Sequence, residues 1–249
     1  DGLKYLIQAR DSNPRNAKLA MLVSKIRQQQ GDFSGVLANI ADVAGISEYE
    51  EQVQTTVQQA VAKITKEHGP AAALAEVDKM LAKRPDDLSL VKFKVELLLQ
   101  QNKFGLAIAE MNKAEAKAPN DPRVWELKAK LHAAQGARLA AQEDSQGAVA
   151  EFAKAAAQID RALTVDPQSA ELNALAARIK LGSGQKNAAV KHAQTAVRLD
   201  PDSPRGYLLL AEAYRGLDRL VDAVTVLKVY AQKNPSDFAI HKTIADLYA

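Results

Sequence analysis

Six prolines constrain this chain more than any other feature. Pro14, Pro85, Pro119, Pro167, Pro201 and Pro235 each close a helix-compatible stretch, at spacings of 71, 34, 48, 34 and 34 residues. The first interval is two periods of 34 with three residues added, and the third is one period with fourteen added. Proline cannot continue a helix, so each marks a stop. A fixed period in the range of 20 to 50 residues is the mark of stacked supersecondary units. The apolar content supports helices as those units. It makes up 47% of the 249 residues with only 5% aromatic, so most of it is Ala, Leu and Val, which suits close helix packing.

With proline set at position 32 of each unit, three positions hold small or compact residues. Position 8 reads Ser24, Val61, Val95, Ala129, Ala177, Ala211 and Ala245. Position 20 reads Gly2, Val36, Ala73, Ala107, Ala155, Ala189 and Ala223. Position 27 reads Ala9, Val43, Met80, Ala114, Ala162, Ala196 and Tyr230, seven residues beyond position 20 and so on the same helical face. Small residues there let neighbouring helices approach closely.

The residue two after each proline is of a helix-capping type: Asn16, Asp87, Asp121, Ser169, Ser203 and Asp237. Pro122 and Pro204 follow their caps, at the first helical position, where a missing N–H costs nothing. Gly31, Asn102, Gly184 and Asp218 supply a turn near position 15. Each unit therefore reads as a helix, a turn and a second helix that ends at proline.

These features resemble the tetratricopeptide repeat family over nearly the whole chain. The unit from Pro204 to Asp237 carries Tyr207, Leu210, Ala211, Tyr214, Ala223, Leu227 and Pro235 at the family's signature places, and Trp125 takes the aromatic position of another unit. The resemblance implies an all-α fold, a right-handed α-solenoid of about fourteen helices in antiparallel pairs. It also implies one solenoid over 1–249: a half unit 1–16, full units 17–53, 54–87, 88–121, 122–169, 170–203 and 204–237, and a half unit 238–249.

Two units depart from the pattern. Unit 17–53 is three residues longer than the period, and Val53 takes the expected cap position. Ser47 and Glu50 offer a Ser-x-x-Glu capping box instead, which predicts a helix from near Glu48 to about Glu67. Unit 122–169 carries fourteen surplus residues around Gly136 to Val149. Fourteen is two heptads, so each helix can lengthen by about two turns with its packed face in phase, the stretch from Glu143 to Gly147 forming the turn. The terminal half units would leave part of a packing face open. They predict a segment of a longer array that associates end to end.

Charge and residue inventory exclude several functions. The 33 Lys and Arg against 30 Asp and Glu give a net charge of +3, with no basic runs and few interleaved aromatics, which argues against nucleic acid. No apolar run approaches the ~18 residues a membrane span needs, so no membrane insertion is expected. Zero Cys removes thiolate chemistry. His68, His132, His192 and His241 lie in four different units without a metal-binding spacing, and the 12 glycines form no phosphate loop. No enzyme activity, cofactor or metal is expected.

In the family, first helices line a concave groove, and positions 2, 5, 9 and 12 face the ligand. At those places Lys and Arg outnumber Glu and Asp by nine to five. The resemblance thus points to Lys18, Lys25, Lys92, Arg123, Lys130, Arg178, Arg205 and Arg215 as contacts for a protein or peptide partner of acidic character. The Lys and Asn clamp that grips chaperone C-termini is absent, since Glu96 and Leu127 stand where it would need other residues. Family analogy suggests a bacterial scaffold, in exopolysaccharide export or type IV pilus assembly, in the periplasm or envelope. The alternative is a cytosolic adaptor or regulator.

Overall fold

The computed structural model describes residues 2–43 and 47–248. Among them every regular element is helical. The chain divides into two compact units, Asp1–Lys117 and Ala118–Ala249.

The first unit contains α1 (Gly2–Ser12), α2 (Ala17–Gln29), α3 (Phe33–Ile40), α4 (Glu50–Lys83), α5 (Leu88–Gln100) and α6 (Phe104–Lys117), each packed on the next. Helix α4 is two helical stretches joined at Gly69, whose φ of 83° and ψ of 166° leave the helical region just before Pro70. Only glycine adopts that backbone readily, so Gly69 serves as a turn that the sequence pattern did not single out. A 3-10 turn over Ser47–Tyr49 precedes α4, and its cap residue, Tyr49, makes no side-chain cap bond. The α-helix thus starts two residues after the expected Glu48. The proposed capping pair itself rests on the side chains of Ser47 and Glu50, which lie outside the described residues.

The second unit contains α7 (Pro122–Ala141), α8 (Ser145–Val165), α9 (Ala170–Gly182), α10 (Lys186–Leu199), α11 (Pro204–Gly216), α12 (Leu220–Lys233) and α13 (Phe238–Tyr248). Consecutive helices pair, and the first helices α7, α9 and α11 also lie against one another in sequence. Helices α7 and α8 run 20 and 21 residues, against 13 and 14 for α9 and α10. The surplus is seven residues on each side. The turn between them is tighter than expected, because Asp144 accepts a bond from Gly147 N at 2.9 Å and draws Ser145 to Gly147 into the first turn of α8. Glu143 takes the left-handed conformation there, with φ 63°.

The small positions sit at the helix contacts. Val36, Ala73, Ala107, Ala155, Ala189 and Ala223 are all fully buried, as are Val43, Ala129, Ala162 and Ala177. Their counterparts on the first and last described helices, Gly2, Ala9 and Ala245, are exposed. Asn16, Asp87, Asp121, Ser169 and Asp237 each accept a backbone N–H of their own helix. Ser203 stands at its cap without a side-chain bond. The turn residues Gly31, Asn102, Gly184 and Asp218 all have φ between 56° and 75°, which reverses the chain between paired helices.

Candidate partner-binding face

The first unit holds three of the expected contact residues. Lys18 and Lys25 are exposed on α2, seven residues apart and so on one face, and Lys92 is half-buried on α5. The second unit holds the other five, and its clefts sort them into distinct roles.

Arg123 turns back to its own helix start. Its guanidinium pairs with Asp121 at 2.7 Å while the same carboxylate caps α7 through Arg123 N. The Arg123 hydrogen bond holds Asp121 below the usual carboxylate range. Lys130 is likewise engaged, lying between Glu126 of α7 and Glu171 of α9, the latter at 3.2 Å. Burial alone would depress its pKa, but the two carboxylates outweigh that and raise it. Neither side chain contributes free positive charge.

Arg178, Arg205 and Arg215 differ. Among the described residues none of the three has a carboxylate within ion-pair distance. Arg178 and Arg215 line a cleft of about 530 Å³ formed by α7, α9 and α11, together with Lys130, Lys186 and Glu212. Its base is built of small residues, Ala133, Ala134 and Ala137 from α7 and Gly182 and Gly216 from the ends of α9 and α11. Ala137 belongs to the additional turns of α7, so the long hairpin supplies one side of the cleft.

Phe152 of α8 fixes that geometry. Its ring is wedged between Gly136 and Gly182, so close that a Cβ on Gly182 would stand 2.3 Å from two ring carbons, and one on Gly136 would stand 3.1 Å from others. The ring belongs to a core with Trp125, Ile159, Leu175 and Ile179. Beside it, His132 Nδ1 lies 2.7 Å from Glu151 Oε2, and Lys154 donates to Glu151 Oε1 at 2.7 Å. Burial would raise the Glu151 pKa, but its bonds from Lys154 and His132 hold it below the usual range.

Sequence reasoning missed Lys186 and Phe152, since both lie on second helices and only first-helix positions were considered. Lys186 opens α10 and Phe152 stands at the corresponding place on α8, thirteen residues before the last residue of the helix in each case. That equivalence is visible from the surplus of seven residues in α8. Among the described residues no helix is long and apolar enough to cross a membrane, and no cluster of three or more His, Cys, Asp or Glu is placed to hold a metal.

Comparison with known proteins agrees with this architecture. The tetratricopeptide repeat family matches residues 66–131 and 181–247. A thermophilic tetratricopeptide repeat protein of Thermus thermophilus is 18% identical and superposes with a TM-score of 0.66, covering 78% of this chain and 98% of its own. A tetratricopeptide repeat protein of Parabacteroides merdae is 15% identical, with a TM-score of 0.62 over 98% of this chain and 89% of its own. PilW, a widely conserved type IV pilus biogenesis factor, is 16% identical, with a TM-score of 0.64 over 91% of this chain and 97% of its own. No curated protein sequence matches. The matched segments span more than half of the chain, the hairpins are all helical, and the chain belongs to the tetratricopeptide repeat family.

Proposed function

We propose that this protein is a non-enzymatic scaffold whose first-helix face holds an acidic segment of a partner protein. The observation that carries the reading is the cleft of α7, α9 and α11, where among the described residues Arg178, Lys186 and Arg215 have no carboxylate within ion-pair distance and Glu212 is the one acid on the lining. Charge complementarity of this kind guides encounter and fixes register. The small residues beneath let a backbone or a slim helix lie close. In the first unit, Lys18, Lys25 and Lys92 are the corresponding contacts.

A place in a bacterial multi-protein assembly of the envelope, in pilus biogenesis or exopolysaccharide export, fits this role. Its support is the fold shared with PilW together with the family's use as a protein-interaction scaffold. The test is site-specific photocrosslinking in the host cell, from Ala137 on the cleft and from Val229 on the second-helix face of α12. The expected result is a single acidic partner segment, attached from position 137 and not from 229. Crosslinks confined to 229, or to a basic segment, would overturn the reading. Recovery of a cytosolic regulator in place of an envelope protein would keep the scaffold role and replace the setting.

A further inference from the structure

Arg178 of α9 and Arg205 of α11 line one recess of about 310 Å³ with Pro204, Leu208, Leu209 and Glu212. Several half-buried cations on helix faces have counter-charges. Lys94 lies between Asp78 and Glu110 at 2.9 and 3.0 Å, Lys130 between Glu126 and Glu171, and Arg10 against Asp42 at 3.2 Å. Arg178 and Arg205 instead share this recess, and among the described residues neither has a carboxylate within ion-pair distance. Partial loss of hydration in the recess, and then the charge of Arg205, push Arg178 below the usual arginine range. Two like charges on neighbouring helices beside Leu209, which is nearly buried, raise the free energy of the empty site.

An anion between the two guanidiniums removes that repulsion and gives each fork a planar, two-oxygen acceptor. The recess also selects among anions. Glu212 on its lining disfavours a doubly charged phosphoryl group, and the apolar surface of Pro204, Leu208 and Leu209 suits the methylenes of a side chain. We infer that Arg178 and Arg205 together anchor one carboxylate side chain, a glutamate, of the bound partner segment. This inference rests on the first-helix face being the binding face. It adds a specific site to that face, one that lies outside the larger cleft's small-residue base.

The test uses a fluorescein-labelled hexaglutamate peptide, with hexaglutamine as its uncharged control, and fluorescence anisotropy at low salt. Hexaglutamate is expected to bind and hexaglutamine not. R178Q and R205Q are each expected to weaken binding about 10- to 100-fold, the range for a lost charge-assisted bond. The double variant should lose less than the product of the two, because both act on one carboxylate. K191Q, which removes the same charge from the exposed face of α10, should change affinity less than about twofold. Circular dichroism checks that all variants remain folded.

Equal losses in K191Q and R178Q would reduce the effect to net charge and overturn the anchor. So would unchanged binding in R178Q and R205Q, absence of hexaglutamate binding to the wild-type protein, or its displacement by inorganic phosphate at matched ionic strength. Each of these leaves the photocrosslinking result from Ala137 untouched, so failure of the anchor and failure of the binding face are separately visible.

Discussion

Replacing Gly182 with alanine is expected to destabilise the second unit, although alanine is the better helix former. Gly182 is the last residue of α9, and an alanine there gains at most about 1 kcal/mol of helix propensity. Against this, the new Cβ would lie 2.3 Å from the Cε1 and Cζ of Phe152, when carbon atoms in contact normally keep about 3.5 to 4.0 Å. The ring cannot simply withdraw, because its opposite edge, Cδ2 and Cε2, already abuts Gly136. Overpacking of this kind costs about 1 to 3 kcal/mol. The net expectation for G182A is a loss of about 1 to 2 kcal/mol. Urea unfolding read by the fluorescence of Trp125, the only tryptophan and a member of the same core, measures it directly. F152A alone should cost about 3 to 5 kcal/mol, and in that background G182A should become neutral or stabilising, since the colliding ring is gone. G105A is the control, with nothing within 4 Å of its Cβ in α6. It should gain up to about 1 kcal/mol. If G182A were as stable as the wild type, or lost as much in the F152A background, the ring would not be wedged as described and the shape of the cleft would need another explanation.

Four further outcomes are expected. Ser169 accepts Leu172 N at 3.2 Å while Ser203 makes no such bond, so S169A should cost about 1 kcal/mol in urea unfolding and S203A only a few tenths. Glu151 has a depressed pKa in the folded protein, so its contribution is present above the unfolded value near pH 4.5 and is lost as pH falls through the folded value. Melting temperature should therefore drop below about pH 4.5 in the wild type, and the drop should be shallower in E151Q. His192 is held below its usual range by burial and by Lys180, so the folded protein loses stability as pH falls below about 6.5, and H192Q should flatten a melting curve taken between pH 7 and 5. Phe238 and Tyr248 are 79% and 67% exposed on α13, and end-to-end association should give a sedimentation coefficient that rises with concentration and falls back in a F238E/Y248E variant.

Most of the fold was legible because its repeating unit writes the same few requirements many times over. A residue at position 20 must fit between two helices, and Ala73, Ala107, Ala155, Ala189 and Ala223 say so five times, each of them fully buried. Caps and turns were legible for a similar reason: Asp87 or Gly184 works through its own backbone neighbourhood and needs no distant partner. Gly69 escaped notice because the helices on either side of it continue with little interruption, and its role is a dihedral angle with no separate loop composition. The binding face was only partly legible. Sequence spacing places Arg123, Lys130, Arg178, Arg205 and Arg215 on first helices, but it does not show that Asp121, Glu126 and Glu171 neutralise the first two. Which charges stay available depends on side chains reaching between helices, and a period of 34 carries no record of that reach.

The equal lengthening of α7 and α8 also limits what lengths such a hairpin can have. Seven residues rotate a helix through about 700°, which leaves its face only ~20° from where two full turns would put it. Five residues would leave it about 140° away, with alanines facing water and charged residues facing the partner helix. Hairpin height is thus best changed in steps of roughly 10 Å per helix pair. A designer who wishes to raise or lower this side of the cleft can add or remove one heptad from both α7 and α8 together, which keeps the two faces in closer register than any shorter step.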